Sequence, residues 1–127
     1  MSMQPPHRPL SPHLQIYKPQ ITSILSITHR ITGIGLSVGI FFLFYWLGAI
    51  ATNAEAYGIA LSFFKSWFGR VILILCLFGF YYHLANGIRH LAWDMGYGFS
   101  LKVVTITGWL VVGAAILMTL ITIITAI

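Results

Sequence analysis

The chain has 127 residues, 58% of them hydrophobic and only 7% charged, with a formal net charge of +5. An ordinary water-soluble domain carries roughly 25% charged residues, so this composition, with a mean hydropathy of +0.89, identifies a membrane protein. The seven Lys and Arg are scattered singly, which excludes a basic patch with interleaved aromatics and hence nucleic acid as a partner.

All five prolines (Pro5, Pro6, Pro9, Pro12 and Pro19) lie at the start of the chain. Each fixes its own φ, lacks a donor and turns its predecessor away from helix, so residues 1–21 are predicted to be an extended tail. Leu10, Leu14, Ile16 and Tyr17 make this tail apolar. Two readings fit: it lies along a partner or the membrane surface, or it is a disordered terminus. No cleavable signal pattern and no Arg-rich, Ser-rich transit pattern is apparent, which favours a bacterial inner membrane; a processed organelle chain has the same look.

Three runs carry no Asp, Glu, Lys or Arg: 31–54, 71–88 and 103–127. Each comes near or passes the ~18 to 20 apolar residues that a helix needs to cross a ~30 Å hydrocarbon core. The fold class is therefore all-α and integral to the membrane, with spans at 22–52, 62–92 and 102–127 making one transmembrane domain, 22–127. Arg8, Lys18 and Arg30 precede or open the first span, and Arg89 and Lys102 flank the loop between the second and third. An excess of cations on these segments places the N-terminus and the 93–102 loop in the cytoplasm.

The first span holds Gly35 and Gly39 in a GxxxG arrangement, with Gly33 and Ser37 as a second small pair, suited to close helix approach. Cys76, the single cysteine, reads as a packing residue. The second span ends in WDMGYG, where Gly96 and Gly98 can supply left-handed conformations that stop a helix. The third span offers no chemistry beyond packing.

Polar residues inside a membrane are costly and face a cavity, a cofactor or each other. Ser26, His29 and Arg30 share a face of the first helix. His83, Asn86, Gly87 and His90 form a stripe at spacings 0, 3, 4 and 7 on the second. His83 lies eleven residues before Asp94, about 16 Å at 1.5 Å per residue, and so falls near mid-membrane. Two readings fit it: an imidazole bonded to a neighbouring helix, or an axial ligand to haem iron, with Gly87 leaving room for the macrocycle. His83 and His90 stand on one face, about 10.5 Å apart along the axis, and cannot ligate the same iron. The opposite ligand has to come from elsewhere, His29 or a second chain. Arg30 fits a haem propionate, a quinone carbonyl shared with the Ser26 hydroxyl, or lipid phosphate reached by snorkelling.

The stretches RPLSPHLQIYKPQITSILSITHRITG (Arg8 to Gly33) and HLANGIRHLAWDMGYG (His83 to Gly98) resemble the signature regions of the cytochrome b556 membrane-anchor subunit of succinate dehydrogenase, respiratory complex II. The resemblance spans the chain in length and three-helix layout. It implies an anchor that is not catalytic alone and that works with a second small hydrophobic anchor, a flavoprotein subunit and an iron-sulfur subunit. It further implies haem b with His83 as one axial ligand and the other from the partner anchor, His29 and Arg30 near the propionates, ubiquinone bound at Ser26 and Arg30, and Asp94 in support of that pocket. An anchor of a quinol:fumarate reductase is the related alternative; a haem-free channel or assembly subunit is the alternative of another class. The location implied is a bacterial inner membrane, or a mitochondrial one.

Overall fold

A computed structural model describes residues 18–126, so the expectations for the tail up to Tyr17 lie outside the described residues. Within them the chain forms four helices and no strand: α1 (Ile21–Thr52), α2 (Ala54–Lys65), α3 (Trp67–Asp94) and α4 (Leu101–Ala126). Helices α1, α3 and α4 have 32, 28 and 26 residues, or about 48, 42 and 39 Å at 1.5 Å per residue. All three are long and apolar enough to cross a membrane.

The second span is shorter than the sequence reading has it. It begins at Trp67 and not at 62, because residues 54–65 make a separate helix. Two side chains cause the division by satisfying the free N–H groups of a new helix start. Asn53 Oδ1 accepts from the Ala56 N–H at 2.8 Å, and Ser66 Oγ accepts from the Gly69 N–H at 3.1 Å. Helix α2 packs back along the C-terminal turns of α1: Phe63 stacks on Phe42 with centroids 6.1 Å apart, and Ala56 and Ile59 share a hollow with Gly48, Ala49 and Thr52.

Helices α1 and α3 run antiparallel, with Gly39 facing Cys76, Gly79 facing Thr32, and His83 facing His29. Of the predicted GxxxG pair, only Gly39 serves this contact; a Cβ on Gly35 would meet nothing within 4 Å. The core lies where α1, α3 and α4 meet, around Leu25, Tyr82, Val111 and Ala115. Two bonds tie the helices across it. The Tyr82 hydroxyl donates to the Leu25 carbonyl at 2.9 Å, and the Tyr81 and Thr122 hydroxyls bond at 2.8 Å. Such bonds contribute about 0.6 kcal/mol each in a membrane.

The loop after α3 closes as the glycines predict. Gly96 and Gly98 have φ of +88° and +81°. The Gly96 N–H returns to the Trp93 carbonyl at 2.8 Å and the Tyr97 N–H to that of Ala92 at 3.0 Å, which satisfies the last turn of α3 in a Schellman arrangement. This brings the start of α4 beside the end of α3 and the start of α1.

Candidate functional site

At that end of the bundle, three imidazoles collect between α1 and α3. The rings of His29 and His83 stack with centroids 3.9 Å apart and 10° between their planes. His90 lies 5.2 Å from His29, tilted by 45°. Close approach of the two helices makes the stack possible: a Cβ on Gly33 would stand 3.0 Å from His83 Cε1.

The His83 ring is held in one tautomer. Its Nδ1 lies 3.1 Å from the His29 carbonyl oxygen and 3.2 Å from Thr32 Oγ1. A carbonyl oxygen only accepts, so Nδ1 is the donor, and in the neutral ring Nε2 then has the lone pair. The Thr32 hydroxyl shares its one proton between the carbonyls of Thr28 and His29, both at 2.9 Å, so its oxygen can accept from Nδ1. No hydrogen bond is made to Nε2 among the described residues. A neutral imidazole with Nδ1–H fixed by a carbonyl and no bond at Nε2 is in a state that could ligate a metal.

His29 lays its ring face against that of His83. A Cβ on Gly87, the glycine expected to leave room for the macrocycle, would meet His29 Cε1 at 3.9 Å, an ordinary contact. His29 Nδ1 and Asn86 Nδ2 are buried polar atoms without a hydrogen-bond partner among the described residues.

Ser26 and Arg30 sit on α1 next to His29, one turn apart. Thr28, Thr32 and Ser37 return their hydroxyls to carbonyls of their own helix at 2.8 to 2.9 Å. The Ser26 hydroxyl makes no such bond among the described residues, and the exposed Arg30 guanidinium has no bonded partner there either. Their donors are therefore available to a ligand beside α1. Asp94, exposed, is the last residue of α3 and forms no ion pair with Arg30.

Arg89 differs from its sequence reading. Counted from the end of the span it reads as a cation flanking the loop, yet it is 7% exposed. It donates from Nε to Thr107 Oγ1 at 3.0 Å, from Nη1 to Asn86 Oδ1 at 3.3 Å and from Nη2 to the Val104 carbonyl at 2.8 Å. The signal in the sequence is its spacing, three residues after Asn86 and four before Trp93, both on its own helix face. Thr32 also escaped the sequence reading, because its role depends on which residue of α3 stands opposite.

The chain matches the family model described as succinate dehydrogenase/fumarate reductase transmembrane subunit over residues 4–122. It is 48% identical over 113 residues to a succinate dehydrogenase cytochrome b556 subunit of Rickettsia felis, covering 89% of this chain and 88% of that one. The b556 subunit of Paracoccus denitrificans is 43% identical over 96 residues, 76% of this chain and 74% of the other. A succinate dehydrogenase cytochrome b560 subunit of Marchantia polymorpha is 39% identical over 123 residues, 93% and 90% of the two chains. Three membrane-length helices with an imidazole cluster at one end, matched over nearly the whole length, place this chain in the succinate dehydrogenase/fumarate reductase transmembrane subunit family.

Proposed function

We propose that the chain is the larger anchor of a succinate:ubiquinone oxidoreductase, in which it supplies one side of a haem b pocket and part of the quinone-reduction site. One observation carries the reading: the near-mid-span His83 is fixed through Nδ1 by an α1 carbonyl while Nε2 makes no hydrogen bond among the described residues. The residues present fit haem. His83 would hold the iron, a second anchor subunit would give the opposite ligand, and His29, whose buried Nδ1 has no partner among the described residues, and Arg30 would meet the propionates. Haem, when bound, supplies a one-electron store beside the quinone.

The remaining chemistry belongs to this chain and its partners. Electrons come from succinate through the flavoprotein and iron-sulfur subunits. Ubiquinone binds between Ser26, Arg30 and the iron-sulfur subunit, and takes up two electrons and two protons to become the quinol. The Ser26 hydroxyl and the Arg30 guanidinium orient the quinone carbonyl, and the Arg30 charge stabilises the negative charge that develops on it. Asp94 stands at the aqueous end of α3 in a supporting position, on the side from which protons come. Residues 1–21 form a cytoplasmic tail and 22–127 the membrane domain, in a bacterial inner membrane with the N-terminus inside.

The test is a reduced-minus-oxidised spectrum of the chain purified in mild detergent from its own membrane, with identification of what comes with it. A b-type band together with flavoprotein and iron-sulfur partners is expected. Partners without a haem band would remove the role of His83, and the absence of both from an intact complex would remove the respiratory reading. Succinate-driven quinone reduction set against quinol-driven fumarate reduction decides the direction.

A further inference from the structure

Arg89 is a cation placed where a cation is expensive. A guanidinium inside a membrane helix bundle is costly unless its donors are met, and among the described residues no carboxylate meets it. It is met instead by neutral acceptors from two helices and by a ring. The Val104 carbonyl at 2.8 Å and Thr107 Oγ1 at 3.0 Å fix it from α4, and Asn86 Oδ1 at 3.3 Å fixes it from its own helix. Thr107 is itself bonded to the Val103 carbonyl at 2.8 Å, so the acceptor does not swing.

The other side of the guanidinium covers the Trp93 indole, with Cζ 4.2 Å from the ring centroid. That indole meets His90 edge to face, with centroids 5.0 Å apart and 86° between planes. His90 meets His29 at 5.2 Å, and His29 stacks on His83 at 3.9 Å. A continuous series of ring contacts thus leads from α4 to the near-mid-span imidazole. We infer that Arg89, held by α4, is a positioning residue for the imidazole cluster, acting through Trp93 on His90 and through it on His29 and His83. The inference rests on the haem reading above for its main readout.

If Arg89 only tied α3 to α4, the Thr107 and Val104 bonds would suffice and the Trp93 contact would be idle. The two roles separate on the assembled complex, through the electron paramagnetic resonance g values, midpoint potential and retention of haem. Arg89→Met and Trp93→Leu are expected to shift the g values and to weaken haem retention by about tenfold, as loss of an outer-shell partner does at metal sites. Trp93→Phe keeps a ring under the guanidinium and is expected to restore the wild-type signal. Arg89→Lys keeps the charge but not the planar fork, and is expected to fall between. Because Arg89 acts through Trp93, the double variant is expected to match the larger single one.

Lower thermal stability with wild-type g values and potential in Arg89→Met would overturn the inference, as would additive effects in the double variant. Should Arg89→Met fail to assemble, the Trp93→Leu and Trp93→Phe pair decides by the same signals. A wild-type complex without haem removes the proposed role of His83 as iron ligand instead. The ring resonances of labelled His29, His83 and His90 then carry the test: a shift in Trp93→Leu supports the inference and no shift refutes it.

Discussion

Substitution of Gly33 by alanine tests whether the His83 tautomer and its bonds to α1 matter. The new methyl would stand 3.0 Å from His83 Cε1 and 3.6 Å from Nδ1. Carbon atoms in good contact are about 3.5 to 4.0 Å apart, so the ring must retreat by about 0.5 Å. Gly33 and both partners of Nδ1 belong to α1, and retreat from one is retreat from all. The Nδ1 distances of 3.1 and 3.2 Å would grow to about 3.6 Å, where a hydrogen bond no longer counts as one. The loss is about 0.5 to 1.5 kcal/mol per bond, enough to release the ring orientation. The assay is the haem midpoint potential and difference spectrum of the complex, with Gly35→Ala and Gly113→Ala as controls, since a Cβ at either meets nothing within 4 Å. All three changes raise helix propensity alike, so only the contact differs. A Gly33→Ala complex indistinguishable from the controls would refute the reasoning.

His83→Leu is expected to abolish the b-type signal while the complex still assembles; an unaltered spectrum rules out this ligand. Arg30→Ala removes a charge-assisted bond of about 1.5 to 3 kcal/mol, so quinone reduction should drop about 10- to 100-fold in kcat/KM while reduction of an artificial dye is kept. Ser26→Ala should follow the same pattern more weakly, and normal quinone turnover in the Arg30 variant removes that residue from the site. Gly69→Ala drives a methyl into the Phe63 carbonyl oxygen and to 2.8 Å from Phe64 Cα. These are backbone atoms that cannot turn aside, so a loss of about 1 to 3 kcal/mol is expected, read as a lower Tm with the haem spectrum unchanged.

Hydropathy made the three long helices legible, because a charge-free run of membrane length has few other fates. The end of α1 at Thr52 agrees with the first span, whereas the division at Ser66 was legible only as capping chemistry. A second span read from 62 takes in residues 62–65, the last turn of α2, because the side-chain bond that restarts the helix carries no hydropathy signal. The two polar stripes were visible from spacing alone, since residues three and four apart share a face whatever lies opposite. What lies opposite was not visible. The stack of His29 on His83, the acceptor role of Thr32 and the approach of His29 to Gly87 all depend on the register of α1 against α3. Contacts at glycines set that register, and a single chain's periodicity does not encode it. Arg89 was misplaced for a related reason: distance from the helix end gives depth, but not whether a long side chain turns outward to the phosphates or inward to α4.

The overhang of α1 bears on which membranes can house the protein. At about 48 Å the helix exceeds a ~30 Å hydrocarbon core by several turns, and α2 sheathes the excess. Bilayers differ among organelles by a few Å, and hydrophobic mismatch costs only fractions of a kcal/mol per Å. A thicker or thinner bilayer moves the lipid boundary along the α1–α2 hairpin, where both helices already satisfy their own backbone groups. The imidazole cluster lies between the middle and the other end of the bundle, so a shift of the lipid boundary along this hairpin falls on a part of the chain apart from the three imidazoles.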